Sequence, residues 1–399
     1  MKFTWSREIY ISKISIKGFR NHLNTELDLS QGLSIFVGKN GQGKSNLLEA
    51  IYMLAIAKSS RTSTEIDLIN WQKVTEGGHV QVLGIGKENE KTIQAQIDFD
   101  VESKKDSNKP MPALRKSLRV NGLSRISSDF VGNINIVCFE VNDIDILTGP
   151  PSNRRRYIDI LISQSDSGYI KTLQRYRNVI KHRNVLLKSI RENKSSESEL
   201  AFWDDRLVYE GSAIINARKT AIFKLSEHLI PIHSDLSQKH QVEISYKPQV
   251  FKQNDQLTTI SDVNLDEIKK ILSVNLTKFR VREISYGISL TGPHRDDLEI
   301  KLNSQMANKY ASRGQSRIIT LALKLSEASL LKELNNRTPI LALDDILSEL
   351  DKNTQGSVLK AIENYEQVFI TATDLGTFEP EHLSTAALYT VVDGTVSKK

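Results

Sequence analysis

Eight consecutive residues near the N-terminus have the composition of a phosphate-binding loop. They match the pattern GxxxxGK[ST] and are Gly38, Lys39, Asn40, Gly41, Gln42, Gly43, Lys44 and Ser45. The glycines let the backbone wrap around phosphate, so that successive N–H groups face the anion. Lys44 is expected to contact the β- and γ-phosphates, and the Ser45 hydroxyl to ligate Mg²⁺. The pattern predicts that these eight residues bind ATP with Mg²⁺.

Two consecutive carboxylates near the other end of the chain supply the acids that such a loop requires. Asp344 and Asp345 follow the aliphatic run 340–343, which is typical of a strand buried on both faces. We predict that Asp344 holds Mg²⁺ through water and that Asp345 orients or deprotonates the attacking water. Either acid could instead merely cap a loop.

The hydrophobic pattern around these motifs predicts an α/β framework. A short apolar run at 33–37 precedes the glycine-rich loop, and a helical pattern at 46–57 follows it. Period-two alternation and short apolar runs predict further strands, at 9–18, 23–29, 79–85, 92–99, 134–139, 298–302, 339–343, 367–371 and 387–392. The pair Asn121-Gly122 predicts a hairpin turn, and residues 316–334 a helix.

The middle of the chain has a different, mostly helical character. Apolar side chains recur there at helical spacing, as Leu173, Tyr176, Ile180, Leu187 and Ile190. Lys44 and Asp344 are 300 residues apart, and a helical insertion would explain that gap. We therefore expect residues 1–150 and 286–399 to form the two parts of one ATPase head. Residues 151–285 would form an inserted helical arm.

Composition excludes several classes of protein. Of 399 residues, 39% are hydrophobic and 26% charged, which is ordinary for a folded protein and unlike low-complexity disorder. No run approaches the roughly 20 apolar residues of a membrane span, and Cys138 is the single cysteine. We expect a cytoplasmic protein without a membrane partner. The net charge of +6 permits a polyanionic partner without establishing one.

Further motifs resemble one family of ATPases. Ser312-Arg313-Gly314-Gln315 before a long helix resembles the signature motif of ABC-type ATPases, and residues 348–351 resemble their D-loop. The segment 290–297, which contains GPHRDD, lies about twenty residues before the SxGQ segment, as in the RecF family. Segments 151–157 and 181–184 match that family too. The matches span roughly residues 10 to 374.

The resemblance implies a fold and a mechanism. RecF-like proteins have an ABC-type P-loop head with a mixed sheet and a short helical arm. They bind ATP, dimerise head to head around two nucleotides and bind DNA, and they hydrolyse ATP slowly. The resemblance thus implies a nucleoid-associated protein on gapped or duplex DNA or at single-strand/double-strand junctions. It implies RecR, and through it RecO, as partners in RecA loading.

The signature segment has a physical reading beside the resemblance. Gly314 would let the backbone approach phosphate, and the N-terminus of the following helix directs its positive dipole outward. Ser312 would hydrogen-bond the γ-phosphate bound by a second copy, with Gln315 beside it, which would make dimerisation ATP-dependent. Taken alone, Ser312 is better explained as an ordinary helix N-cap with a glycine nearby.

Other assignments leave alternatives open. Arg20 could reach nucleotide or be a solvated surface residue, and His294 could be catalytic or structural. Thr371 and Thr373 could hydrogen-bond the γ-phosphate or the attacking water. Basic side chains could contact DNA phosphates, although a charge run is more often a solvated face, and they are Arg154, Arg155, Arg156, Arg177, Lys181 and Lys188.

Two features depart from the family pattern. Residues 1–8 precede the usual start, and Glu140 to Asp143 occupy a place where the family has a Pro-Glu pair, near the Q-loop of ABC heads. The arm and the long gap disfavour an ABC transporter subunit, and the insertion is too short for an SMC coiled coil. A RecF-like defence ATPase would carry an added effector domain, and only 26 residues follow Thr373. An ATP-gated DNA clamp, in which hydrolysis is incidental, stays open.

Overall fold

The computed structural model describes residues 7–88, 91–102, 113–237, 240–251, 260–376 and 378–399. Residues 1–6 of the N-terminal extension lie outside these residues. The chain divides into two compact units. Residues 1–143 and 321–399 form the first unit, and residues 144–320 form the second.

A largely parallel sheet forms the centre of the first unit. Its strands, in spatial order, are β16 (Thr395–Lys398), β15 (Ala387–Val392), β3 (Gly32–Val37), β14 (Gln367–Ala372), β13 (Ile340–Asp344) and β8 (Ile136–Phe139). Every pairing is parallel except that of β15 with β16. All residues of β8 and β14 are buried, as expected for strands covered on both faces. Strand β3 thereby lies between two strands from the C-terminal end of the chain.

A second, mainly antiparallel sheet completes the first unit. Its strands are β12 (Arg337–Thr338), β1 (Arg7–Phe19), β2 (His22–Asp28), β4 (Gly78–Glu88), β5 (Lys91–Val101), β6 (Leu114–Val120) and β7 (Leu123–Ser124). Asn121 and Gly122 join β6 to β7 with positive φ angles of 51° and 77°, as a primed two-residue hairpin turn requires. The strand pattern at 9–18 proves to be one strand with an irregularity between Ile11 and Lys13.

Helices of the first unit cover these sheets. They are α1 (Lys44–Ile56), α2 (Trp71–Glu76), α3 (Ser127–Phe130), α11 (Lys352–Ile362) and α12 (Pro380–Thr385). Helix α1 follows the glycine-rich loop and is buried on nearly every side, which fits its almost unbroken apolar sequence. Its N-terminus is therefore held rigidly at the end of β3.

Long helices dominate the second unit. They are α4 (Asp145–Thr148), α5 (Pro151–Ser163), α6 (Ser167–Arg191), α7 (Leu200–Leu236), α8 (Leu265–Tyr286) and α9 (Ala307–Tyr310), followed by α10 (Arg313–Asn335), within which the division between the units falls. A small antiparallel sheet accompanies them, made of β9 (Val242–Lys247), β10 (Asp297–Leu302) and β11 (Gln305–Met306).

The unit boundaries differ from the predicted ones for a physical reason. We expected residues 286–399 to belong to the head, but residues 286–320 belong to the second unit. Strand β10 pairs with β9 along its whole length, from Asp297 opposite Lys247 to Leu302 opposite Val242. This pairing attaches the GPHRDD segment and the start of the signature helix to the helical unit.

None of the described helices is long and apolar enough to cross a membrane.

Candidate nucleotide-binding site

The glycine-rich loop connects β3 to α1 in a conformation that only glycine accommodates at key points. Gly43 is the residue before α1, and its φ of 109° lies in the left-handed region. A Cβ atom there would lie 2.7 Å from the Asn21 amide, and one on Gly38 would lie 2.3 Å from the Val391 carbonyl oxygen. Lys39, Asn40 and Gly41 are exposed at the loop tip. The backbone N–H groups at the start of α1 are thus placed to face an anion.

Lys44 points into the loop itself. Its Nζ donates to the carbonyl oxygens of Gly38, at 2.6 Å, and Lys39, at 3.1 Å. Burial lowers the pKa of Lys44, while the charges of Asp345 and Asp344 oppose that shift. Phosphate oxygens entering the loop would offer this ammonium stronger, charge-assisted hydrogen bonds than the two carbonyls.

The predicted metal-binding pair is assembled. Strand β13 places Asp344 beside the start of α1, and the Ser45 Oγ donates to the Asp344 Oδ1 at 2.8 Å. A hydroxyl and a carboxylate are hard oxygen ligands of the kind that Mg²⁺ uses together with water and substrate phosphates. Among the described residues, no three His, Cys, Asp or Glu side chains cluster to hold a metal without a substrate. The pair therefore fits a metal that arrives with a nucleotide.

Thr371 organises both acids, a role that the sequence did not reveal. It is the strand partner of Asp344 on β14, and its Oγ1 donates to the Asp344 Oδ1 at 2.8 Å. The same Oγ1 accepts from the backbone N–H of Asp345 at 2.9 Å. Asp345 itself has a φ of 52°, an uncommon conformation for a residue with a side chain. Thr371 is therefore positioned to hold the turn that presents Asp345.

Glu140 is a further carboxyl near this site. Strand β8 pairs with β13 so that Phe139 lies opposite Leu343, and Glu140 follows at the same edge of the sheet as Asp344. Ser60 Oγ donates to Glu140 at 2.7 Å. Burial raises the pKa of Glu140 to about 7, and the charges of Asp143 and Asp344 raise it further against the opposing Ser60 hydrogen bond. Glu140 is therefore a carboxyl beside Asp344 whose pKa lies near neutrality.

Arg20 contacts a carboxylate in the folded chain. Its Nε and one terminal nitrogen donate to the two oxygens of the buried Glu49, each at 3.0 Å, and the other terminal nitrogen donates to the Asp67 carbonyl at 2.6 Å. This bidentate pairing fixes the turn between β1 and β2. Asn21, in the same turn, donates to the Gln42 carbonyl at 3.2 Å and so braces the phosphate-binding loop.

The signature segment forms a capped helix start in the second unit. Gln315 N–H donates to the Ser312 Oγ at 3.2 Å, and Ser312 N–H donates to the Gln315 Oε1 at 2.8 Å, which together make a capping box. Ser312 and Gly314 are exposed, and no atom lies within 4 Å of a Cβ placed on Gly314. Capping leaves the proton of the Ser312 hydroxyl available for a phosphate.

The GPHRDD segment has a structural role. His294 exchanges a 2.6 Å hydrogen bond with the Tyr176 hydroxyl through Nδ1, and its Nε2 lies 3.1 Å from the Ser289 carbonyl. Burial lowers the pKa of His294 to about 4, so the ring is neutral at pH 7. Asp297 receives a bidentate contact from Arg154 at 2.6 and 3.1 Å. These contacts support the structural alternative for His294.

Most of the arginine cluster at 154–156 is engaged in contacts with other residues of the chain. Arg154 is buried against Asp297, and Arg155 donates to the Asp296 carbonyl at 2.7 Å, whereas Arg156 is exposed. Arg177, Lys181 and Lys188 are exposed along α6. Among the basic residues that could contact DNA phosphates, those on α6 are therefore more exposed than those of the cluster at 154–156.

Comparison with known proteins identifies the family. Residues 10–364 match the model of an AAA ATPase domain. The chain is 33% identical to the DNA replication and repair protein RecF of Chloroflexus aurantiacus, covering 97% of this chain and 99% of the relative. It is 34% identical to RecF of Bacillus cereus, with coverage of 97% and 98%.

Solved structures agree with these relatives. The recombination mediator protein RecF with ATP superposes with a TM-score of 0.87 at 30% identity, over 100% of both chains. An Smc head domain from Pyrococcus furiosus shares the fold, with a TM-score of 0.52 at 16% identity over 98% of this chain and 96% of that one. The expectation of an ABC-type P-loop head of the α/β class is confirmed. The chain belongs to the RecF family of DNA replication and repair proteins.

Proposed function

We propose that this chain is an ATP-dependent DNA-binding protein of recombinational repair and replication restart. ATP and Mg²⁺ would bind at residues 38–45 with Asp344. The observation that carries this proposal is the contact between the Ser45 hydroxyl and Asp344, at 2.8 Å, beside the N-terminus of a buried helix. It brings two motifs that lie 300 residues apart in the sequence into one phosphate and metal site.

The chemistry follows from the groups at that site. Backbone N–H groups of the loop cradle the phosphates, and Lys44 moves from its two carbonyl partners to phosphate oxygens. Ser45 and Asp344 hold Mg²⁺, which neutralises phosphate charge when it is bound. Asp345 orients the attacking water and accepts its proton. Its geometry depends on Thr371, which receives its backbone N–H.

A second copy would complete the site. Ser312, Gly314 and Gln315 lie at an exposed helix N-terminus, where a γ-phosphate held by another copy can accept hydrogen bonds. Binding of ATP would then drive head-to-head dimerisation, and hydrolysis would release it. Hydrolysis is slow in this proposal, because Asp345 is a short acid that reaches water only within the assembled dimer.

The dimer would act on gapped or duplex DNA in the nucleoid. RecR, and through it RecO, would join it there and promote loading of RecA. Exposed cations on α6, including Arg177, Lys181 and Lys188, support contact with the DNA backbone. The names of the relatives support the place of the chain in repair.

Solution mass tests the composite site. We expect the wild-type chain to dimerise with ATP and Mg²⁺ and to be monomeric without them. Lys44→Arg and Ser312→Arg should both stay monomeric, the first through loss of phosphate binding and the second through obstruction of the partner's γ-phosphate. Ser273→Arg, at an exposed position on α8, is the matched control and should dimerise. A wild-type monomer under every condition contradicts the composite site.

A clamp in which turnover is incidental is the competing proposal. The two proposals agree on ATP binding and dimerisation and differ only in whether hydrolysis is needed. Asp345→Asn keeps the backbone N–H that Thr371 accepts while removing the proton acceptor. Loss of repair in cells carrying this variant, with dimerisation on DNA intact, supports the hydrolytic proposal. Full repair without turnover supports the clamp.

A further inference from the structure

His240 connects the signature segment to the small sheet of the second unit. It lies just before β9, and its ring is placed between two side-chain amides. Its Nε2 is 3.2 Å from the Gln315 Nε2, and its Nδ1 is 2.9 Å from the Asn303 Nδ2. The ring of the buried His233 on α7 also forms a hydrogen bond with the His240 backbone. These contacts fix the imidazole of His240 beside the signature segment.

Backbone N–H groups determine which way each of the two amides points. The Gln315 Oε1 accepts from the Ser312 N–H at 2.8 Å, so the Gln315 Nε2 faces His240. The Asn303 Oδ1 accepts from the Gln241 N–H at 2.9 Å, so the Asn303 Nδ2 faces the other ring nitrogen. A backbone N–H only donates, and exchanging oxygen and nitrogen in either amide would set two donors against each other. Both amides therefore direct their NH2 groups at the ring.

The ring cannot accept from both amides at once. An imidazole has at most one nitrogen with a free lone pair, because the other nitrogen carries a proton. If Nε2 accepts from Gln315, the Nδ1–H faces the Asn303 amide. If Nδ1 accepts from Asn303, the Nε2–H faces the Gln315 amide. Two donors therefore oppose each other in either tautomer while Gln315 caps Ser312, and this opposition costs free energy.

A half-turn of the Gln315 amide removes the conflict at the ring. The His240 Nε2–H then donates to the Gln315 Oε1, while Nδ1 accepts from Asn303. The same rotation withdraws Oε1 from the Ser312 N–H and turns the Gln315 NH2 group toward it. The two donors then lie together at the exposed start of α10, where the oxygens of one phosphate can accept from both. Every donor of the group has an acceptor in this arrangement.

We propose that His240 is a positioning residue for the signature segment. It stabilises the rotated Gln315 amide and thereby releases the Ser312 N–H to the γ-phosphate bound by a second copy. The inference rests on the proposed function, because that phosphate is held at residues 38–45 of the second copy. His240 belongs to the second unit and the phosphate-binding loop to the first. Its replacement should therefore weaken dimerisation and leave the affinity of the monomer for ATP unchanged.

Two variants of the full chain separate the two ring nitrogens of His240. Glutamine places its amide near the position of Nε2, whereas asparagine reaches only the position of Nδ1. In ATP and Mg²⁺, His240→Gln should keep its contact with Gln315 and dimerise within about threefold of the wild-type dissociation constant. His240→Asn, the matched control for the loss of the ring, should weaken dimerisation about tenfold or more, because each of the two signature segments loses a hydrogen bond.

Sedimentation equilibrium gives the dimer dissociation constant, and ATP titration of dilute protein gives the affinity of the monomer. Urea unfolding of both variants checks that they fold as the wild-type chain does. His240→Asn that dimerises like the wild-type chain overturns the inference, and so does His240→Gln that dimerises as weakly as His240→Asn. The proposed function survives either result. A wild-type chain that stays monomeric with ATP overturns both.

Nitrogen NMR of the histidine rings gives a second readout that a merely structural role would not change. The His240 signals are those absent from the spectrum of His240→Gln. In the ATP-bound dimer the proton of His240 should be on Nε2, because Nε2 then donates to Gln315. A dimer in which Nε2 carries no proton overturns the inference and leaves the proposed function intact.

Discussion

At the scale of single residues, Thr371 connects the two acids more closely than the sequence suggests. One hydroxyl donates to Asp344 and accepts from the backbone of Asp345, so a single side chain sets the position of the proposed metal ligand and of the residue after it. Thr371 acts through these two acids. Its replacement should therefore change the rate of ATP hydrolysis more than the affinity for ATP.

Thr371→Val should show this separation. Valine keeps the shape and removes both hydrogen bonds, leaving the Asp345 N–H without its acceptor. We expect the ATPase rate constant to fall about tenfold or more, with the dissociation constant for ATP changed by less than about threefold. Steady-state and equilibrium binding measurements give the two quantities. Thr371→Ser should restore turnover, and failure of serine to do so would argue against the hydrogen-bonding role.

Glu140 should make stability depend on pH near neutrality. Its pKa is raised to about 7 in the folded chain, above the ordinary value of 4.5, so the folded state binds the proton more tightly than the unfolded state. The stabilisation is complete below about pH 4.5 and is lost as the pH rises through 7. Glu140→Gln should therefore be more stable than wild type at about pH 8, by about 1 to 3 kcal/mol.

Denaturant unfolding of both proteins at about pH 5.5 and about pH 8 measures this effect. The difference in the free energy of unfolding between the Glu140→Gln variant and the wild-type chain should widen toward the higher pH. Glu76→Gln, which replaces an exposed carboxyl at the end of α2, serves as the control. If the difference in the free energy of unfolding is the same at both pH values, the raised pKa of Glu140 is contradicted.

Some residue roles can be read from the sequence and others cannot. Ser45 and Asp344 were predictable because GK[ST] and an acid after an aliphatic strand have one common physical use, and the two side chains are in contact. The structural role of His294 was not, because its partner Tyr176 lies 118 positions away. The burial of Arg154 was hidden for the same reason, since Asp297 is 143 positions away.

At the scale of helices and strands, local pattern located most elements and missed those that depend on distant partners. Helix α1 and strand β15 lie where apolar periodicity placed them. Strand β9 was overlooked within a mixed region, because its only described strand partner, β10, lies far along the chain beyond α8. Helix α7 continues past Pro231, a residue that usually ends a helix, to Leu236. Packing against β9 and other helices outweighs the single lost backbone hydrogen bond.

A buried charge network ties three helices of the second unit together. Arg183 of α6 donates to Asp204 of α7 at 2.8 Å and to Glu283 of α8 at 2.6 Å, and it is fully buried. Its remaining nitrogen donates to Ser289 at 2.8 Å. Glu283 is paired with this guanidinium, whereas Asp204 also receives the guanidinium of Arg280.

Arg183→Met should consequently be strongly destabilising. Methionine fills a similar volume but leaves the buried Glu283 without the guanidinium that pairs with it, which costs about 3 to 5 kcal/mol, while Asp204 keeps its pair with Arg280. Arg177→Met, at an exposed position on the same helix, should change the free energy of unfolding by less than about 0.5 kcal/mol. Urea unfolding monitored by circular dichroism compares the two. Similar changes in the free energy of unfolding of both variants would show that Arg183 contributes no more to stability than an exposed residue.

At the scale of the whole molecule, the proposed contact with DNA concerns one helix face. Arg177, Lys181 and Lys188 are exposed on α6, whereas most of the Arg154–Arg156 cluster is committed to internal contacts. Contacts of this kind are with phosphate, so they should be insensitive to sequence and sensitive to salt.

Replacing Arg177, Lys181 and Lys188 together by Gln should weaken duplex DNA binding and lower the slope of log affinity against log salt by about 2 to 3. The control exchanges three exposed lysines of the first unit for Gln, and they are Lys332, Lys352 and Lys360. Both triples remove the same charge. An equal loss in the two triples would show that net charge, and not the α6 face, governs binding.

The placement of β3 has a consequence for the order of synthesis. The phosphate-binding loop is translated well before the two strands that flank β3, because both strands lie after residue 366. The loop therefore lacks the two strands beside β3 until residues 367–392 have been translated. A prematurely terminated chain, however well its arm has folded, lacks the framework that would let it capture a nucleotide.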